Sequence, residues 1–200
     1  SQVLQLPVIG TIARLSNGKG NGKGSKFKLI ASAEPRSPVT EAFRSLRTNI
    51  QFSSVDKPIH TILITSAGPA EGKSMVSANL AVVMAQAGLR VVLLDADLRR
   101  PAAHKYLNRP NRNGLTDLVL QASTGWEGSV QETAVRNLAL VTSGQLPPNP
   151  SELLGSQKMQ QLLKRLAEHS DIVVIDSPPV LAVTDASVLA RVADAVLMVL

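Results

Sequence analysis

Two hundred residues, 44% of them apolar and 2% aromatic, suit one α/β domain with a tail, its core built from Val, Leu, Ile and Ala. The absence of cysteine excludes disulfides and thiolate metal sites. The formal charge of +6 is concentrated: residues 1–36 hold a balance of +5 (Arg14, Lys19, Lys23, Lys26, Lys28 and Arg36 against Glu34), leaving +1 for the rest and no argument for a nucleic-acid-binding domain.

In chain order, the stretch SNGKGNGKGSKFK alternates Gly, Asn and Ser with Lys and reads as part of a flexible basic linker over residues 1–36. Beside an anionic membrane each of its cations adds about 1 kcal/mol of attraction. No uncharged apolar run approaches the roughly 20 residues that span a bilayer. The N-terminus also lacks a basic start followed by an apolar stretch, so this chain is expected to be soluble. A helix is expected through EAFRSLRTNIQF, with Ser37 or Thr40 as its cap.

From His60 onward the pattern alternates between strand and helix. Thr61–Thr65, Arg90–Asp95, Leu138–Thr142, Asp171–Asp176 and Ala195–Leu200 read as strands; Lys73–Ala87, Ser151–His169 and Thr184–Val192 read as helices. The strands are continuous apolar runs, which predicts an α/β fold with a doubly wound, mostly parallel sheet and helices on both faces. The domain is expected over 37–200, truncated inside a buried last strand. Ligands in such sheets bind beyond the carboxyl ends of the strands. His60, His104 and His169 lack ligand-like spacing and read as neutral solvent-facing or cap residues.

Three strand ends carry chemistry. The first runs into Ala67-Gly68-Pro69-Ala70-Glu71-Gly72-Lys73-Ser74, a phosphate-loop pattern if Ala is allowed at its first position. Such a loop needs small residues so that backbone amides at a helix N-terminus can wrap a phosphate. Lys73 supplies charge to the β- and γ-phosphates, and the Ser74 hydroxyl is a Mg²⁺ ligand. The second strand ends in Asp95-Ala96-Asp97, two carboxylates that need a cation or a hydrogen-bond network at the tip of an apolar strand. The third ends in Asp176-Ser177-Pro178-Pro179, whose acid reads as reaching Mg²⁺ through water. Together they predict a Mg-nucleotide site, which the resemblance below makes a Mg-ATP site.

With these motifs in view, the chain resembles the bacterial tyrosine kinases of the polysaccharide co-polymerase type, which regulate capsule and exopolysaccharide synthesis. Leu6–Ile12 is similar to the segment that follows the second membrane helix in membrane-fused members. Glu41, Arg44 and Arg47 match an E-x-x-R-x-x-R oligomerisation helix. Asp95–Pro101 and Asp176–Pro179 match the two Walker-like motifs, and Pro147–Leu154 is typical of the group. The resemblance implies a protein-tyrosine kinase on the cytoplasmic side of the bacterial inner membrane. It implies a nucleotide cradle from Gly68 to Met75, with Lys73, Asp95 and Asp97 catalytic and Ser74, Asp97 and Asp176 on the metal. Asp95 is the candidate to orient or deprotonate the tyrosine; spacing alone leaves its role and that of Asp97 interchangeable. It also implies a ring held through Glu41, Arg44 and Arg47, phosphorylation of a neighbour's tail, and no nucleic-acid partner.

Ala70 stands where the family usually has Gly, Met75 replaces the usual Thr or Ser, and the only tyrosine is Tyr106, which reads as a packed helix residue. Two alternatives remain. One is a MinD/ParA-like ATPase, whose loop normally carries an extra lysine that positions 67–71 lack; the other is an assembly module stabilised by nucleotide without kinase activity.

Overall fold

Fully apolar strands fold only where both faces are covered, and that condition sets the architecture. The computed structural model describes residues 6–13, 27, 29–53, 58–120 and 128–200. In order they form α1 (Ile30–Ala33), α2 (Pro38–Ser53), β1 (Thr61–Ser66), α3 (Lys73–Gln86), β2 (Val91–Asp95), α4 (Ala103–Tyr106) and α5 (Leu115–Leu120). There follow β3 (Val130–Glu132), β4 (Leu138–Val141), α6 (Pro150–Leu154), α7 (Gln157–His169), β5 (Ile172–Asp176), α8 (Asp185–Ala190) and β6 (Ala195–Val199).

The sheet order is β3-β4-β2-β5-β1-β6, parallel throughout except for β3, which runs antiparallel on β4. Register sets Asp95 beside Asp176 and Asp176 beside Ile64, so the carboxyl ends of β2, β5 and β1 lie side by side. Phe43, Leu46, Leu80 and Met84 of α2 and α3 pack with Ile62, Leu93 and Val174 on one face. Leu115, Leu154, Leu163 and Leu166 pack with Leu63, Leu94 and Ile175 on the other. Each such side chain contributes on the order of 2 kcal/mol of burial. Helix α3 is buried at every position from Val76 to Ala85, as a helix apolar all round must be.

The structure departs from the sequence reading at four places. The helix expected over 151–169 is two, because the chain breaks at Gly155 and Ser156 recaps it by accepting the Met159 amide at 3.2 Å. Parts of the expected flexible linker are packed. Ala31 donates its amide to Asn79 Oδ1 at 3.0 Å, Gln86 donates to the Ala31 carbonyl at 3.3 Å, and Asn49 donates to the Ile9 carbonyl at 2.7 Å. Arg14, Lys19, Lys23, Lys26 and Lys28 lie outside the described residues. The last strand, expected to be buried, is half-buried among the described residues: Leu197 and Val199 face the core while Val196 and Met198 are exposed. His104, expected to be neutral at a solvent-facing or cap position, lies in the last turn of α4 and is half-buried with an unpartnered Nδ1; burial lowers its pKa, in keeping with a neutral ring.

Ser37, the cap candidate, accepts the Thr40 amide at 3.2 Å, while the Thr40 hydroxyl donates instead to the Glu34 carbonyl at 2.7 Å. No helix among the described residues is long and apolar enough to cross a membrane.

Candidate active site

The loop from Gly68 to Gly72 joins the tip of β1 to the N-terminus of α3, so its amides gather where the helix dipole is positive. Two residues turn left-handed to achieve this: Gly72 with φ +94° and, without the freedom of glycine, Ala70 with φ +66°. The Ser66 hydroxyl donates to the Gly68 carbonyl at 2.8 Å, and the Gly68 amide donates to Glu71 Oε2 at 2.9 Å, which fastens the loop's mouth. Pro69, Ala70 and Glu71 are exposed. Met75, partly buried in the first turn of α3, packs against the core while its methyl end lies next to Gly72 of the loop.

Lys73, the first residue of α3, leans across the strand tips. Its Nζ donates to Asp97 Oδ2 at 2.8 Å and to the Ser74 hydroxyl at 3.3 Å. Burial works against its charge, but Asp176 and Asp97 outweigh burial and hold its pKa above the ordinary lysine value. The other oxygen of Asp97 accepts the amides of Arg100 at 2.9 Å and Arg99 at 3.3 Å, so both of its oxygens are engaged.

Asp95 and Asp176 are fully buried and adjacent in register. Asp95 Oδ2 accepts the Ala103 and Ala102 amides at 2.9 and 3.1 Å, and its Oδ1 has no partner. Burial first, and then the charge of Asp176, push its pKa well above the usual carboxylate range. Asp176 Oδ1 accepts the Ser77 hydroxyl at 3.1 Å. Ser74 lies near enough to favour the charged form of Asp176, yet Oδ2 receives no well-formed hydrogen bond. Burial raises the Asp176 pKa to about 6, against the opposing pull of Lys73.

These atoms fit a magnesium-bound nucleotide. An unpaired buried carboxylate oxygen is costly unless a cation meets it; here there are two, on Asp95 and Asp176, and Ser74 lies beside Asp176. Among the described residues no three acidic or imidazole side chains form a ready cage. Mg²⁺ needs none, since it takes one or two protein oxygens and completes its shell with phosphates and water.

A model described as an AAA domain matches residues 59–200. The tyrosine-protein kinase YwqD of Bacillus subtilis (strain 168) is 45% identical over 182 residues, covering 91% of this chain and 76% of the relative. The chain belongs to the bacterial tyrosine-kinase family of P-loop proteins. Among solved structures, the chimerical protein CapA2B2 matches with a TM-score of 0.86 at 39% identity over 96% of this chain and 80% of that one. The kinase domain of Escherichia coli tyrosine kinase ETK matches at 0.85 and 34%, covering 96% and 77%. The chain thus spans about three quarters of these relatives.

The remaining residues of interest lie outside the loop. Tyr106 is half-buried, stacked edge-on against Phe27 with centroids 5.2 Å apart, and burial raises its pKa. Glu41 and Arg44 pair with each other within α2, and Arg47 donates to the Val83 carbonyl at 3.1 Å, so that charged face is already partly satisfied inside the domain.

Sequence reasoning missed a network that fixes the strand tips. Asp185, fully buried, receives Arg99 Nε at 2.9 Å, Arg99 Nη2 at 3.1 Å and the Ser151 hydroxyl. The Arg99 pairing and the Ser151 bond outweigh burial and hold the Asp185 carboxyl below its usual pKa. Only the three-dimensional fold joins positions 99, 151 and 185, so no spacing could have announced them. Gly114 and Gly144 form a backbone crossing: a Cβ at Gly114 would lie 2.2 Å from the Thr142 carbonyl oxygen.

Proposed function

We propose that this chain is a Mg-ATP-dependent protein-tyrosine kinase domain acting in the control of capsule or exopolysaccharide synthesis. The observation that carries the reading is the pair of unpartnered buried carboxylate oxygens, on Asp95 and Asp176, facing the Lys73 ammonium across the phosphate loop. The loop amides from Ala70 to Met75 would cradle the phosphates, since Pro69 has no N–H and the Gly68 amide is bonded to Glu71. Ser74 and Asp176 would hold Mg²⁺, which when bound would supply charge neutralisation at the transferring phosphoryl group. Lys73, now bonded to Asp97, would offer its ammonium to phosphate oxygen, and Asp97, held by the Arg99 and Arg100 amides, would add its charge on the metal side of the site.

Asp95 Oδ1 takes the proton of the acceptor tyrosine. The tyrosine oxygen bonds to the γ-phosphorus as the bond to the β,γ-bridging oxygen breaks, and ADP leaves. The unpartnered Oδ1 leaves a lone pair available for that proton. The acceptor is a tyrosine of a neighbouring copy, brought near by a ring in which the exposed Glu41 side of α2 takes part, and the basic linker holds the domain at the inner face of the membrane. Tyr106, packed against Phe27, is not that acceptor. The MinD/ParA-like alternative is weakened by the lack of a lysine at 67–71.

The test is transfer of labelled γ-phosphate from ATP to a tyrosine copolymer. Phosphotyrosine should form with the wild-type chain and fall at least a hundredfold in Asp95→Asn, within the range that general-base catalysis contributes. ADP release without phosphotyrosine would instead select the plain ATPase.

A further inference from the structure

From Leu98 to Thr116 the chain carries Arg99, Arg100, Lys105, Arg109 and Arg112 and no acidic residue. This segment crosses the carboxyl edge of the sheet. It leaves the tip of β2 and is moored at the tip of β4, where Asn111 Nδ2 donates to the Ser143 hydroxyl at 3.0 Å and the Gly144 amide donates to Asn111 Oδ1 at 3.0 Å. It therefore borders the strand tips that carry Asp95 and Asp97. Arg100 is three residues past Asp97, and Lys105 follows two residues after the Ala103 amide that binds Asp95.

The cations of this rim differ in one respect. Arg99 is neutralised by Asp185, whereas Arg100, Lys105 and Arg112 are exposed and make no ion pair among the described residues. Lys105 Nζ lies 5.2 Å from the Phe27 ring centre, a contact that positions the ammonium without cancelling its charge. The nearest acids in the chain are occupied: Asp97 by Lys73, and Asp117 by the Gly114 amide at 2.8 Å.

We propose that the Arg100–Lys105–Arg112 rim is a docking surface for the acceptor polypeptide and selects tyrosines flanked by Asp or Glu. The inference rests on the kinase reading above. An extended segment advances about 3.3 Å per residue, so carboxylates two to five positions from the tyrosine fall roughly 7–17 Å from the transferred phosphate. Uncompensated cations beside a charged site raise the local concentration of anionic partners. A peptide fits better than a lipid surface, because none of the exposed large apolar side chains lies between residues 98 and 116, leaving nothing to insert. A bilayer across this edge would also close the path to Asp95.

The experiment uses the intact chain and three labelled peptides sharing one tyrosine, flanked by Glu, by Gln or by Lys. Fluorescence anisotropy gives affinity and initial rates with Mg-ATP give KM. The Glu peptide should bind about tenfold tighter than the Gln peptide at about 50 mM salt and lose that advantage near 500 mM, where screening is within a few ångströms. A chain carrying Arg100→Glu, Lys105→Glu and Arg112→Glu should prefer the Lys peptide, an inversion that a misfolded protein cannot produce. Equal affinity for Glu and Gln peptides, with all three phosphorylated alike, overturns the rim and leaves the kinase reading intact. Charge-selective binding with no phosphotyrosine on any peptide overturns the kinase reading and the acceptor role with it. Loss of binding to phosphatidylglycerol vesicles in the triple variant, with peptide binding unmoved, assigns the rim to the membrane and overturns the proposal.

Discussion

Asp176→Asn should make the empty domain more stable while removing the carboxylate proposed to hold Mg²⁺. A carboxyl whose pKa rises from 3.8 to about 6 on folding costs about 3 kcal/mol when it ionises inside the protein, at 1.36 kcal/mol per tenfold change in proton affinity. Asparagine escapes that cost and keeps an oxygen for the Ser77 hydroxyl, which donates to Asp176 at 3.1 Å. It buries an amide with no assured partner, at about 1–2 kcal/mol, the attraction to Lys73 being already contained in the net shift. The net gain is about 1–2 kcal/mol at pH 7.5, or roughly 3–6 °C in Tm for a domain of this size.

The sign of the pH dependence follows from the raised pKa. Stability from the neutral carboxyl is complete below 3.8 and is lost as pH rises through 6, so the variant's advantage should vanish by about pH 4.5. Circular-dichroism melts at both pH values, free of Mg²⁺ and nucleotide, measure it. An asparagine variant less stable than wild type at pH 7.5, or a difference that ignores pH, would refute the reasoning that burial dominates at Asp176.

Three further outcomes follow from particular contacts. Ala70→Gly should raise Tm by about 2 °C, because alanine at φ +66° carries on the order of 1 kcal/mol of backbone strain that glycine lacks; a lower Tm in differential scanning fluorimetry would contradict the strained loop. Arg99→Ala strips the buried Asp185 of its cation and should cost about 2–3 kcal/mol in urea unfolding near neutrality. Since the Asp185 carboxyl is held low, that cost should shrink as pH falls through the carboxylate range. Arg47→Ala should lower stability by about 1 kcal/mol even at concentrations where sedimentation shows a monomer, because its guanidinium bonds to the Val83 carbonyl within the domain.

The strands, the phosphate loop and the three acids were legible because their signals are local. Buried parallel strands are unbroken apolar runs, and the chemistry sits where those runs stop. What escaped reading was either too short or too distant. Val130–Glu132 and Ala103–Tyr106 are three and four residues long, below the length at which periodicity shows. Ile30–Ala33 hides beside a lysine-rich stretch, and its place is set by a bond to Asn79, 48 residues away. The Arg99–Ser151–Asp185 network depends on the loop after β2 meeting the first turns of α6 and α8, a long-range fact that no spacing encodes. Spacing alone also left Asp95 and Asp97 interchangeable. The structure separates them, with Asp97 bound at both oxygens and Asp95 keeping one unpartnered.

The central claim is that Ala67–Ser74 is a working phosphate loop despite Ala70. Calorimetric titration of the chain with ATP, with and without Mg²⁺, tests it most directly when Lys73→Met is run alongside. Mg²⁺-dependent binding by wild type and its loss in a folded Lys73→Met chain are the predicted results. No binding by folded wild type, or an affinity unchanged by Mg²⁺ and by Lys73→Met, would contradict the account.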